Sequence, residues 1–531
     1  MRQQLTDSRK LKSVPISLPA PSGGWNARDP QTKMALTDAL YLENLFPRSN
    51  SVELRKGCQL RATLPDHVAL SSPHIVRTLM PYCGLDGEKQ FFAICDDGIY
   101  DISTCLTGSA ISGLSPTKTF SSTQAAWQFV NTTTAGGSFL FLCNGIDDPM
   151  LYDGATFTDL NATSTPPLTG SGLDVKDIIH ASLYKSRLVV VEANSLSFWY
   201  GDINAIAGTL VEFPLHVLFK RGGHLVATAN WTLDSGSGPE DRFVAITSEG
   251  EVAVYQGIDP SSADNFSLVG VFQLPRPLAT RCVVKMGGDL GILTEAGLLS
   301  LTQALPSLTP RKSAAYTDKI DQAFKDYVQL YRDYDGWEAL VYEPENALFI
   351  NVPRGTSPVQ CVMNMVNSSW CQFTGWNITA FCVVDNRMYF AANNLVYQAW
   401  IGQDDTGTAI VFRAKTAFYN MRSSGRLKRA QLVRPNFTTD SQVALRMGID
   451  TDYRTADYGS GAVTVGPASL ALWDSAYWDE AAWALEAVQA KWHTISQFPG
   501  SMLSLRMTAS LKGASLIWNA TDFICTAGGI L

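Results

Sequence analysis

Metal binding or proton transfer would fall first to the six histidines: His67, His74, His180, His216, His224 and His493. No two stand at the HxH or HxxxH spacing that would put two imidazoles on one metal. There is no GxSxG turn to present a serine nucleophile and no GxxxxGK[ST] loop to cradle phosphates. Gly236-Ser237-Gly238 lies in a polar loop and opens no helix, and no EF-hand loop occurs. Glycosidases built on β-propellers use paired carboxylates that project toward the central channel. Glu192, Glu249 and Glu295 are the candidates here, but each falls in or near a turn, where a carboxylate is ordinarily just solvated. Nothing pairs them into an acid and a nucleophile. The sequence therefore offers no catalytic, cofactor-binding or metal-binding set, and the reading is a non-enzymatic protein.

One charged run stands out. Met421 to Arg434 holds Arg422, Arg426, Lys428, Arg429 and Arg434 with no acidic residue. In a protein of net charge −8 this is a local basic patch. It fits contact with DNA phosphates or an acidic partner, and equally a solvated hairpin loop. The overall acidity argues against a surface that grips nucleic acid everywhere, because phosphate binding needs dense Lys and Arg. The ten cysteines form no CxxC pair, and several sit inside apolar runs such as Phe91–Cys95 and Phe139–Cys143. They read as reduced, buried thiols of a protein folded in the cytoplasm.

Charged residues are only 17% of the chain and hydrophobic residues 46%. So few charges on 531 residues suit a surface partly covered by partner subunits, or one rich in uncharged polar side chains. The basic N-terminus is followed by no apolar stretch of the secretory kind, and no run of about 20 apolar residues could span a membrane.

The elements that would position these residues are mainly strands. The first two dozen residues are polar, basic and then rich in Pro and Gly, as in an arm that orders on a partner. Thr37 to Phe46 is expected as a short helix capped by Thr37 or Asp38. From about 61 to 410 one pattern returns: an apolar strand, a Gly, Asn or acidic turn, and a second apolar strand. It occurs at Phe91–Ser103, Phe139–Gly154, Arg187–Asp202, Phe243–Gly257, Asp289–Thr302 and Arg387–Ala399. The first five turns, near Gly98, Gly145, Asn194, Gly250 and Gly297, are 47, 49, 56 and 47 residues apart. Further strands are expected at Ala347–Val352 and Gln360–Phe373. This period predicts a β-propeller of five to seven blades. An inserted helix near 317–334 puts Ile320, Phe324, Tyr327, Val328 and Tyr331 on one face, with Thr317 as its N-cap. Beyond 410 the rhythm changes to separate strands, which suggests a C-terminal antiparallel β-sandwich over 411–531. Trp473, Trp478, Trp483 and Trp492 fit an exposed partner-binding strip or core and loop anchors.

The segment GGWNARDPQTKMALTDALYLENLFPRSNSVELRKGC, Gly23 to Cys58, resembles the opening of tail proteins encoded by short-tailed phages and related prophages. Phe213–Asp234, Ile246–Ser261, Trp370–Asn377 and Gly425–Pro435 extend the resemblance over nearly the whole chain. It implies a tail nozzle, also called tail tube or packaged-DNA stabilisation protein. Such a protein forms a ring of six copies in the virion tail, below the portal and adaptor rings. It retains packaged double-stranded DNA, conducts it without sequence specificity, and offers docking surface to tail fibres or spikes. The resemblance carries no catalytic residues. A glycan-recognising receptor module, with aromatic loops such as Ser368–Trp376 stacking on sugars, is the alternative, and a propeller glycosidase is a third reading.

Overall fold

The six hairpins form, and each lies inside its own small sheet. The computed structural model describes residues 13–66, 75–85, 87–119, 126–234, 239–262, 264–304, 315–422, 425–455, 458, 462–465, 487–489, 491–495 and 498–530. The chain divides into two compact units. One comprises 59–360 and 375–399, the other the residues up to Cys58, 361–374 and 400–531.

The first unit is a seven-bladed β-propeller. In chain order, the innermost strands of its blades are Thr78–Cys83, Gln128–Thr134, Ile178–Tyr184, Leu225–Asp234, Val283–Met286, Glu338–Tyr342 and Ala380–Val384. Each pairs antiparallel with the next strand of its own hairpin, as Thr78↔Ile94 and Ala380↔Ala391 illustrate. Around the axis each inner strand touches the next inner strand, except that Leu225–Asp234 meets the fifth blade at its second strand, Asp289–Thr294; Ala380–Val384 touches Thr78–Cys83, so the ring is closed. Closure is reinforced at the rim of the seventh blade. There Leu395–Ala399 is followed outward by Cys58–Thr63, the first propeller strand in the sequence. The blades have no other way to hide their faces. Val189, Phe198 and Tyr200 of the third blade form one core with Phe243, Tyr255 and Phe266 of the fourth. Val76, Phe91 and Tyr100 of the first blade do the same with Tyr389 and Val396 of the seventh. The turns follow from backbone chemistry. Gly250 has φ +80°, and a Cβ there would stand 2.2 Å from the Leu274 carbonyl oxygen, so only glycine fits.

The inserted helix runs over Asp321–Tyr331, after a 3-10 turn at Tyr316–Ile320. Ile320, Phe324 and Val328 are buried on its inner face, while Tyr327 and Tyr331 are half-buried. Thr317 does not cap it; its Oγ1 accepts the Leu298 N–H at 3.2 Å and ties the turn to the fifth blade.

His180, on the inner strand of the third blade, is half-buried, and desolvation of its ring holds its pKa down at about 4. A neutral ring fits its setting, because Nδ1 accepts the Thr228 N–H at 3.5 Å. The unfolded chain titrates near 6.5, so between the two values the unfolded state binds more protons and stability falls as pH falls. We expect a loss of about 2 kcal/mol from this group between pH 7 and pH 5. Urea melts of wild type and His180→Gln should show it, the variant being flatter over that window. Equal slopes would refute the assignment.

The second unit is a β-sandwich. One sheet orders Ala487–Gln489, Arg426–Thr439, Leu516–Ile530, Val52–Leu54 and Leu45–Pro47, with Ser13–Pro19 along Leu516–Ile530. The other contains Ser369–Phe373, Gly24–Trp25, Asp38–Glu43, Ile410–Thr416, Leu503–Leu511, Val443–Thr451 and Val463–Val465. Gly24–Trp25 runs parallel to its neighbours; the other pairings in the unit are mainly antiparallel. Alternation decides the faces: Phe412, Ala414, Leu445, Met447, Leu505 and Met507 point inward and are buried.

Two expectations for the N-terminal part are corrected. Thr37 to Phe46 is not a helix but the strands Asp38–Glu43 and Leu45–Pro47. Between them Asn44 has φ +55°, a conformation no helix can pass through. Of the expected arm, Ser13–Pro19 is a strand in register with Thr526–Ala520, because Val14, Ile16 and Leu18 alternate with period two. Residues 1–12 lie outside the described residues.

Candidate functional site

The residues carrying the phage-tail resemblance build a lock inside the sandwich unit. A Cβ on Gly24 would lie 2.4 Å from the Trp370 carbonyl oxygen, so only glycine lets these two strands meet. Asn26 Nδ2 donates to Asp29 at 2.9 Å and to Asp38 at 2.8 Å. Asn44 donates to Thr374 Oγ1 at 2.9 Å and to the Val411 carbonyl at 2.7 Å. Its own oxygen accepts Arg55 Nε at 2.9 Å, and Arg55 grips Asp405 with both terminal nitrogens at 2.9 and 2.6 Å. Asn26, Asp38, Asn44 and Arg55 are all buried, so their polar atoms bond one another.

The basic run does not form one patch. It lies on the long strand Arg426–Thr439 and the turn before it. Lys428 is buried, its Nζ donating to the Ser501 carbonyl at 2.8 Å, and burial lowers its pKa. Arg434 pairs with Asp522 at 2.7 Å and lies 4.7 Å over the Trp492 ring. Arg422, Arg426 and Arg429 are exposed and have no ion-pair partner among the described residues. Strict alternation would put Arg426, Lys428 and Arg434 on one face. Register shifts between Arg426 and Lys428 and between Ala430 and Leu432 break it, so that Lys428 turns inward and Arg434 does not, and the spacing of the five charges does not show this. Trp473, Trp478 and Trp483 lie outside the described residues.

A second cationic group has no motif to mark it in the sequence. Arg413, Lys415, Arg446 and Arg506 sit at outward positions of neighbouring strands, Lys415 opposite Arg506 and Arg446 opposite Thr508. Asp450, fully buried, binds Lys415 Nζ at 2.7 Å and lies 3.5 Å from Arg506. Single cations inside apolar strands were the available signal, and only the strand register brings them together.

The three turn carboxylates are held apart, each with its own partner. Glu192 accepts Trp199 Nε1 at 3.2 Å, and burial raises its pKa. Glu249 pairs with Arg276 at 2.7 Å and Glu295 with Arg332 at 2.9 Å. Among the described residues no group of three or more His, Cys, Asp or Glu could hold a metal ion. His67 and His74 lie outside the described residues. All ten cysteines are unpaired and nine are buried; burial pushes Cys58 and Cys361 up to about 12.

The propeller does carry a cavity of about 600 Å³. It opens where inner strands of the first, second, fifth, sixth and seventh blades begin, and Arg77, Gln128, Arg281, Glu338 and Thr379 line it from those positions. Arg281 is fixed by Thr78 Oγ1 at 2.9 Å, the Trp127 carbonyl at 2.6 Å and Glu338 at 3.6 Å. Burial raises the Glu338 pKa, and Arg281 opposes that shift. The segment Arg332–Glu338 supplies the remaining charged wall. No candidate from the sequence points to this cavity except Glu295, which approaches it as the partner of Arg332.

No protein-family model matches the chain, and no curated protein matches it. Solved structures do. A putative 6-phosphogluconolactonase from Bacteroides fragilis is 10% identical over 66% of this chain and 92% of its own, with a TM-score of 0.35. Raptor from Chaetomium thermophilum is 10% identical over 65% of this chain and 29% of its own, at 0.38. YCF48 from Cyanidioschyzon merolae is 10% identical over 62% and 96%, at 0.35. No helix among the described residues is long and apolar enough to cross a membrane.

Proposed function

We propose that this chain is a structural, non-catalytic protein of a short phage tail. It would act as one copy in a homo-oligomeric ring, of six by the resemblance, whose wall surrounds DNA held in and later leaving the particle. The observation that carries this reading is the lock around Asn44, Arg55 and Asp405. The segments that resemble phage tail proteins hold strands together there, and their charged groups are bonded to one another rather than presented to a substrate. A channel wall must also let DNA slide. Each neutralised phosphate strengthens attachment, so a chain of net charge −8 suits passage better than grip. Arg422, Arg426 and Arg429 would be the contacts to DNA or to an adaptor ring, and Lys428 and Arg434 would hold the strand that carries them.

Electron microscopy of the purified chain, alone and with the other virion proteins, tests the ring. Ring-shaped assemblies around a central hole support it, and a monomer under both conditions refutes it. Changing Arg422, Arg426 and Arg429 to Ser together should leave folding intact and impair assembly or genome retention. Particles that form, keep DNA and infect normally would reduce the three arginines to surface charge.

A further inference from the structure

Strand register gathers the cations of three distant stretches of the chain. Thr526, on Leu516–Ile530, pairs with Arg429 on one side and with Ser13 on the other. Neighbouring strands lie about 4.8 Å apart, so the chain enters this sheet at Ser13 about 10 Å from Arg429. Residues 1–12 carry Arg2, Arg9, Lys10 and Lys12 against Asp7 alone. The stretches 1–19, 422–439 and 516–531 together hold nine Lys and Arg and two Asp, a net charge of +7, so the remainder of the chain carries −15. Of the two acids, Asp522 is paired with Arg434. Asp452, which acts on the buried Lys428, already accepts the Ser501 and Met502 N–H groups. Arg426 and Arg429 are thus exposed beside the point where the basic terminal segment joins the sheet.

Charge density selects the partner. A DNA duplex carries one negative charge per ~1.7 Å of axis, and each phosphate that meets a Lys or Arg releases counterions. Separate carboxylates on a protein surface do not reach that density. Twelve residues extend at most about 40 Å from Ser13, slightly more than one turn of duplex. We propose that residues 1–12 and the exposed arginines Arg422, Arg426 and Arg429 form one cationic site for the phosphate backbone of double-stranded DNA. The remainder of the chain, at −15, repels phosphate, so the duplex is held at this one place and slides past the rest. The inference rests on the DNA-holding part of the proposed function, whose residues it names, and does not need the ring.

The test is fluorescence anisotropy of a labelled duplex of roughly three helical turns, titrated with the full chain between about 50 and 200 mM salt. Seven contributing cations give a slope of log K on log salt of about −6. Changing Arg2, Arg9, Lys10 and Lys12 to Ser together should weaken binding at least about tenfold and leave a slope of about −3. Arg2→Lys with Arg9→Lys keeps the charges and should keep the slope. Arg413→Ser with Arg446→Ser removes cations of the other group and should change neither affinity nor slope. The proposal is overturned if the duplex does not bind, if polyglutamate of equal charge competes as well as unlabelled duplex, or if the four-serine protein keeps the wild-type slope. Rings are read separately by electron microscopy. DNA binding without rings sinks only the ring, and rings without DNA binding sink only this site.

Discussion

Replacing Arg55 with alanine should cost the sandwich unit about 3–5 kcal/mol, the usual penalty for stranding one partner of a buried ion pair. The guanidinium is 1% exposed, and its bonds match its five N–H donors. Nε reaches Asn44 Oδ1, Nη1 reaches the Lys56 carbonyl and Asp405 Oδ1, and Nη2 reaches the Thr374 carbonyl and Asp405 Oδ2. Removing it leaves a carboxylate and three neutral acceptors without their donor. Arg55→Lys should recover little, since an ammonium has three donors and no planar fork. Urea unfolding followed by tryptophan fluorescence measures the effect, and a loss below about 1 kcal/mol would show that water replaces the guanidinium without difficulty.

Ala62→Asp should be at least as damaging to the propeller, by about 4 kcal/mol or more. Ala62 is fully buried on the strand that closes the ring, in one core with Val76, Tyr100 and Val396. On either side of it Ile111 N–H donates to the Arg61 carbonyl at 2.8 Å, and Thr63 N–H donates to the Ile111 carbonyl at 2.9 Å. A carboxylate there has no cation to meet and must leave the core, taking the closing strand with it. Gln59→Asp adds the same charge at an exposed position of the same strand and should change stability by less than about 0.5 kcal/mol. Limited proteolysis should cut the Ala62→Asp protein early around the seventh blade. If both variants melt alike, the strand does not close the ring.

The propeller could be read from the sequence because its unit is local. Each blade is built around a hairpin whose turn needs Gly or Asn and whose strands are apolar on both faces. Asp289–Thr294 and Gly297–Ser300 show this with almost no intervening chain. The sandwich could not be read in the same way. Its sheets join residues far apart in the sequence: Asp522 pairs with Ser17, near the other end of the chain, and with Arg434, 88 positions away. Leu40, Leu42, Leu45 and Phe46 fit a helical face as well as an interrupted strand, and only the left-handed Asn44 decides between them. The basic run was visible as charge, but the register shifts along its strand were not, and they bury Lys428 and leave Arg434 to pair with Asp522 while Arg426 and Arg429 stay outside. The propeller cavity gave no signal, because its lining comes from five separate blades and its charged residues, Arg77, Arg281 and those of Arg332–Glu338, are far apart in the sequence.

The order of the units along the chain also bears on how the protein is made. The propeller lies within the sandwich's sequence: the sandwich uses strands before Cys58 and strands after Trp400. On a ribosome the ring can close once residue 399 has emerged, whereas Ser13–Pro19 must wait for Leu516–Ile530. At roughly 5–20 residues per second, synthesis of Trp400–Leu531 takes roughly 7–26 s. Throughout that interval the early sandwich strands have apolar residues such as Leu42, Phe46 and Val52 and only part of a sheet to bury them. The nascent chain is therefore most exposed to chaperones, and to its neighbours on a polysome, after its larger unit has already folded.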